Sequence, residues 1–239
     1  MSIKSKVLAA AATLTLVGGL GMAGALTAGT ASAATPSCGH ACINVFSKQF
    51  GTHKHPNYVL DVYQQKEKVG QKIILFRAAN YDKAEDFTVS RQGTVHDFFA
   101  AGLVSAAVDL HYAGDHAYEV EYAPLGADSG LCAGLASTAV QHEGVTLQPC
   151  GVTARTVWIV DTFDSPVTLL NGYVPLINGS DTNFSHPFVL TYPANGFPTD
   201  SSRPQLEVTN ITGSSNGPGP ILGTVNSNQL WGATFGVLH

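Results

Sequence analysis

Leu131-Cys132-Ala133-Gly134-Leu135, then Val145-Thr146-Leu147-Gln148, then Trp158-Ile159-Val160 is the stretch on which the fold turns. Its apolar residues recur at every second position. Val145 and Leu147 therefore share one face of an extended strand, and Trp158 and Val160 share one face of the next. The pattern occurs twice more. Upstream it reads Tyr58-Val59-Leu60-Asp61-Val62, Ile73-Ile74-Leu75-Phe76 and Phe87-Thr88-Val89. Downstream it reads Tyr173-Val174-Pro175-Leu176-Ile177, Phe188-Val189-Leu190-Thr191 and Leu206-Glu207-Val208. Leu60 to Leu75 is 15 residues, Ala133 to Leu147 is 14 and Pro175 to Leu190 is 15. Strands this short cannot bury an inward face alone. Three copies predict closure into a barrel with approximate three-fold symmetry, with Leu75, Leu147 and Leu190 around the common axis.

The rest of the chain supports an all-β reading. Short runs rich in β-branched and aromatic residues alternate with Gly, Asn, Asp and Pro. Further strands are expected at Cys42–Ser47, Ala106–Tyr112, Ala117–Tyr122, Val167–Leu170 and Leu230–Val237. Gly114-Asp115 reads as a turn joining two of them, which makes a hairpin insertion near 98–122, before the second repeat. Residues 213–220 read as a loop. One domain is expected over 34–239, long enough to bury a sizeable core.

The second repeat also carries a resemblance. Ser129-Gly130-Leu131-Cys132, Gly144-Val145-Thr146-Leu147-Gln148-Pro149-Cys150 and Thr156-Val157-Trp158 are similar to the repeat unit of ricin-type β-trefoil lectins. That unit has a Cys on its second strand, a Leu-Gln-x-Cys-like third strand and a Gln-x-Trp motif. The resemblance implies a β-trefoil and a Cys132–Cys150 pair, with Trp231 and Phe235 closing the third repeat. It also implies a sugar site wherever a repeat keeps three contacts: an Asp two residues after the Cys position, an aromatic ring on the third strand, and an Asn or Gln before the motif. Thr156 replaces the motif's Gln. In the second repeat Gly134 and Gln148 stand at the Asp and aromatic positions, and in the third Leu176 and Thr191 do. The first keeps both, as Asp61 and Phe76, with Asn80 as a third contact, and has Val59 and Ala78 near the Cys positions. The chain also resembles exported actinobacterial proteins, which adds a compartment and no activity.

Residues 1–33 read as a signal peptide. Lys4 and Lys6 form a positive start, 7–28 is apolar, and Ala31-Ser32-Ala33 is a cleavage site. The expected product is secreted, extracellular, free of the membrane and monomeric. The formal charge of −5 becomes −7 once Lys4 and Lys6 are removed. An acidic surface disfavours nucleic acid and anionic membranes as partners. Cys38, Cys42, Cys132 and Cys150 all follow the cleavage site and read as disulfides. Three connectivities exist, of which Cys38–Cys42 with Cys132–Cys150 is the most economical. Cys38-x-His40-x-Cys42 could instead offer three metal ligands, at closer spacing than a structural zinc site uses. His53-Lys54-His55 reads as a solvated loop. Asp109, His111, Asp115 and His116 fall at the expected turn, so no metal or cofactor is expected there. No nucleophile elbow, phosphate loop or dinucleotide fingerprint occurs. The first expectation is therefore a non-catalytic secreted module for a neutral glycan or cell-surface polysaccharide. A protein-interaction or inhibitor protein on the same scaffold ranks second. A glycan-active hydrolase, needing two carboxylates about 5–9 Å apart in a cleft, ranks third.

Overall fold

The computed structural model describes residues 42–52, 57–79, 82–160, 172–194, 196–212 and 225–235. Twelve strands follow one another: β1 (Ile43–Ser47), β2 (Tyr58–Val62), β3 (Ile73–Arg77), β4 (Phe87–Thr94), β5 (His116–Tyr122), β6 (Leu131–Leu135), β7 (Glu143–Pro149), β8 (Val157–Val160), β9 (Leu176–Asn178), β10 (Phe188–Thr191), β11 (Glu207–Asn210) and β12 (Trp231–Phe235). Antiparallel pairs β12–β1, β4–β5, β5–β8 and β8–β9, with a Val174–Trp231 bridge, form the barrel wall. Hairpins β2–β3, β6–β7 and β10–β11 meet one another through Lys72–Thr146, Ile74–Gln205 and Glu207–Gly144. Three four-stranded repeats, β1–β4, β5–β8 and β9–β12, result. This is a β-trefoil.

The register makes the symmetry explicit. Phe46 pairs Val59, Glu121 pairs Cys132 and Ile177 pairs Val189 where the first strand of each repeat meets the second. Leu60, Ala133 and Leu190 follow those partners on the second strands, facing Leu75, Leu147 and Val208 across the hairpins. Phe87 and Trp231 open the fourth strands β4 and β12, and Trp158 is the second residue of β8. All nine lie in one buried core, with Val45 and Val120 from the first strands and Leu176 packed against them. Each tryptophan ties its repeat together. The Trp158 indole donates to the Ala133 carbonyl at 2.9 Å, and that of Trp231 to the Leu190 carbonyl at 2.8 Å.

Two expectations are corrected. Leu75, Leu147 and Leu190 do share a core, but the third copy is displaced by one strand. Leu190 is the counterpart of Leu60 and Ala133, and Val208 is the counterpart of Leu75 and Leu147. Every β-strand here alternates, so β9–β10 imitated a hairpin while the real one, β10–β11, hid behind a longer loop. The second correction concerns 98–122. Its first part is helical: α1 (Val95–Ala100) and α2 (Ala106–Tyr112), and only β5 is a strand. Val108, Leu110 and Tyr112 alternate in sequence, but Val108 and Tyr112 are buried while Leu110 is 87% exposed, the spacing of a helix face. Caps at Thr94, boxed with Asp97, and at Ser105 fix both starts. The pair packs on Ala117, Val157, Ile159 and Ile177, the outward face of the barrel wall.

Cys132 and Cys150 are bonded across the β6–β7 hairpin, with a sequence separation of 18. Cys42 is also disulfide-bonded; its expected partner Cys38 lies outside the described residues. So do the signal peptide, His40, His53–His55, Asn80, the Val167–Leu170 strand, the 213–220 loop and Val237. Removing the hairpin bridge as Cys132→Ala/Cys150→Ala is expected to cost roughly 3 kcal/mol. Urea unfolding of the oxidised protein checks this, and a midpoint equal to wild type is the contrary result.

Candidate functional site

β2 and β3 pair Asp61 with Ile74 and Val59 with Phe76, so these four side chains share one face of the hairpin. Leu60, Val62, Ile73 and Leu75 on the other face enter the barrel core. Three-fold counterparts follow from the register. Asp61 corresponds to Gly134 and Thr191, and Phe76 to Gln148 and Thr209. Glu85, Thr156 and Gln229 each stand two residues before the fourth strand's large aromatic residue, at the end of a 3₁₀ turn. The third repeat's Asp and aromatic positions are therefore Thr191 and Thr209, not Leu176 and Thr191. Gln229-Leu230-Trp231 is an intact Gln-x-Trp motif.

Each hairpin ends in a backbone N–H that a side-chain oxygen accepts. Glu85 Oε1 takes Ala79 N at 2.9 Å, Glu119 Oε1 takes Gly151 N at 2.8 Å, and Gln229 Oε1 takes Thr212 N at 2.8 Å. Beyond that shared bond the repeats diverge. In the third, Gln229 Nε2 donates to Thr209 Oγ1 and to the Asn210 carbonyl, both at 2.9 Å, and the Thr191 and Thr209 hydroxyls bond each other at 2.8 Å. In the second, the Thr156 hydroxyl donates to Glu119 at 2.6 Å. A side chain on Gly134 would meet the Arg155 carbonyl at 2.8 Å. Both are closed, internally satisfied networks.

The first repeat is different. Asp61 on β2, Asp82 at the cap of the 83–85 turn and Glu85 at its end each bring one oxygen within 4.8 Å of the others. Asp61 is 5% exposed and Glu85 7%. Burial, the nearby Asp82 carboxylate and the opposing pull of Arg203 leave Asp61 titrating near about 7. Burial pushes Glu85 up to about 9, against the stabilising Ala79 amide and with added repulsion from Asp61, Asp82 and Asp86. Carboxyl groups displaced this far are common at functional sites.

The loop between β10 and β11 reaches back over this hairpin. The Arg203 guanidinium stacks on the Phe76 ring at 4.4 Å and pairs with Asp200 at 3.3 Å. Phe197, 65% exposed, leans on Phe50 and Tyr58, with ring centroids 4.9 and 5.7 Å away. Between loop and hairpin lies an open groove of about 740 Å³, lined by Tyr58, Phe76, Arg77, Phe197, Pro198, Thr199 and Asp200. The structure thus places Asp61 and Phe76 together, Asp61 buried and Phe76 half-buried beneath Arg203. Asp109 and His111 do not join a metal-ligand group among the described residues. Asp109 pairs with His96 at 3.1 Å, and His111 stacks on Phe184.

Sequence reasoning missed Asp82, Glu85, Gln229 and the 197–203 segment. The signal for Glu85 was present. Glu85-Asp86-Phe87 is a degenerate copy of Gln229-Leu230-Trp231, visible once the fourth strands are aligned. No pattern announces the loop, because its contacts cross between repeats.

The strand order, the three-fold register and the two core tryptophans define a β-trefoil. Among solved structures, the chain is similar to a designed three-fold symmetric protein, ThreeFoil, at 13% identity and a TM-score of 0.50. That match covers 81% of this chain and 98% of that one. A Polyporus squamosus lectin bound to the human-type influenza-binding epitope Neu5Acα2-6Galβ1-4GlcNAc is similar at 16% identity and a TM-score of 0.44. It covers 82% of this chain and 49% of the lectin, so the chain spans about half that protein's length. No family model and no curated protein matches the chain.

Proposed function

We propose that this protein is a non-catalytic, exported carbohydrate-binding module that takes a neutral glycan at its first repeat. The observation that carries the reading is the groove of about 740 Å³ beside Phe76, walled by the Tyr58 and Phe197 rings and rimmed by Arg77, Thr199 and Asp200. Aromatic rings bury the apolar face of a sugar, and flanking polar groups select its hydroxyls. Asp61 lies behind Phe76 on the same hairpin face and accepts no hydrogen bond among the described residues, so it remains an acceptor for donor hydroxyls. Asn80 is the third proposed contact. Asp200 is the one carboxylate among the groove's described lining residues, whereas acid–base hydrolysis needs a pair, which favours binding. A site this shallow suits affinities of order 1 mM, about −4 kcal/mol.

A glycan array tests the proposal with the 34–239 protein, Asp61→Ala and Phe197→Ala, each checked for a native melting curve. Binding that both variants lose supports it, whereas binding that both retain moves the ligand elsewhere. Silence across the array favours the second reading, a protein-interaction or inhibitor module. The closed networks of Gln229 and Glu119 favour that reading too, since two repeats offer a sugar neither an acid nor a ring.

A further inference from the structure

The geometry points to a binding site for a hard divalent cation, of the calcium class, between Asp61, Asp82 and Glu85. Ca²⁺ takes carboxylate oxygens at about 2.3–2.6 Å, so two ligands in one shell stand up to about 5 Å apart. Here one oxygen from each of three carboxyl groups lies within 4.8 Å of the other two. The donor set is all oxygen, which suits Ca²⁺ rather than zinc or copper.

Acidic residues gather on many surfaces, but Asp61 and Glu85 are buried, and one further observation points to a missing positive partner. The Asp61 side chain is 95% buried by its 5% exposure, yet no described residue donates to it. A buried carboxylate without a donor is costly and calls for an ion, a proton or a water.

The three-fold comparison shows where the positive group belongs. Glu85 Oε1 and Gln229 Oε1 do the same work, each accepting the backbone N–H at the end of its hairpin. The second head-group atom differs. In the third repeat it is Gln229 Nε2, a donor that turns to Thr209, Asn210 and, at 3.4 Å, Thr191, the counterpart of Asp61. In the first repeat the same atom is a carboxyl oxygen, which shares the Ala79 N–H at 3.2 Å and takes no other donor among the described residues, and the Glu85 and Asp61 carboxyl groups bring oxygens within 4.8 Å of each other. The third repeat fills the gap between these positions with amide hydrogens. The first repeat has acceptors on both sides and needs a cation between them. Asp82, half-buried, supplies the outer ligand. Its Oδ1 is held by Ala84 N at 2.9 Å and Gln65 Nε2 at 2.8 Å. Such supporting bonds orient a ligand carboxylate.

The inference shares Asp61 with the glycan reading but does not rest on it, because the cation is measured on the protein alone. Protein stripped with EDTA is titrated at pH 8 with Ca²⁺ by calorimetry and thermal melting, with Mg²⁺ for comparison. One Ca²⁺ per chain is expected, with an affinity in the 10⁻⁴–10⁻³ M range of extracellular modules and a rise in Tm. Asp82→Asn keeps the turn cap and is expected to lose at least tenfold in affinity while melting like chelated wild type. Glu85→Gln copies the third repeat and is expected to abolish the site. A Tm indifferent to millimolar Ca²⁺, or Ca²⁺ bound equally well by both variants, overturns the proposal. Proton uptake without Ca²⁺ binding overturns it too, since the gap is then bridged by hydrogen alone.

Discussion

Trp231→Ala is expected to cost about 3–5 kcal/mol, the range for removing a fully buried aromatic side chain. Trp231 is 1% exposed in the barrel core. Its indole also supplies the hydrogen bond to the Leu190 carbonyl. The substitution therefore leaves a cavity and removes a donor from β10, within the third hairpin. Pseudo-symmetry supplies the control. Phe87 fills the equivalent place in the first repeat without an indole nitrogen, so Trp231→Phe keeps most of the packing. It is expected to cost only about 1–2 kcal/mol, for the lost hydrogen bond and a small volume change. Urea unfolding followed by circular dichroism separates the two variants. An alanine variant within about 1 kcal/mol of wild type contradicts the claim that this ring closes the barrel.

The second large effect is a stability that falls as pH rises. Asp61 titrates near about 7 and Glu85 near about 9 in the folded protein, both above their ordinary values of 3.8 and 4.5. Burial is the first cause in each, followed for Asp61 by Asp82. For Glu85 the Ala79 amide opposes the rise, and Asp61, Asp82 and Asp86 add to it. The sign follows from proton counting. Between pH 4.5 and 9 the folded chain holds protons that the unfolded chain releases, so alkali favours unfolding. In EDTA, where no cation competes for the carboxyl groups, stability is expected to be highest near pH 5. It should fall by roughly 2 kcal/mol or more by pH 9, several degrees in Tm. Glu85→Gln should flatten the profile and melt higher than wild type at pH 9, because the amide brings the hydrogens that Gln229 already uses in the third repeat. Thermal melts from pH 5 to 9 test this, and a Tm that climbs or stays level over that range would refute it.

Legibility in the sequence followed the range of the interaction. Alternating strands such as Ile73–Phe76 and Val145–Gln148 could be read because a strand's two faces are written at adjacent positions. The Cys132–Cys150 pair could be read because the cysteines close a single hairpin. The third repeat was misplaced because β9 alternates like a hairpin strand, and alternation alone cannot say which neighbour a strand pairs with. α2 was misread for the same reason. Val108, Leu110 and Tyr112 fit a period of two, and burial alone revealed a period near four.

What the chain determined by itself is its architecture: three short, alternating strand sets that can bury their inner faces only together, and the presence of an Asp and a ring in the first set. The tertiary structure decided what those residues face. Asp82 and Glu85 meet Asp61 across a turn, and Arg203 and Phe197 arrive from another repeat to cover Phe76 and wall the groove. Periodicity is a local property that sequence records. The charge felt by Asp61 depends on residues as far away as Arg203, which only the closed barrel brings within reach.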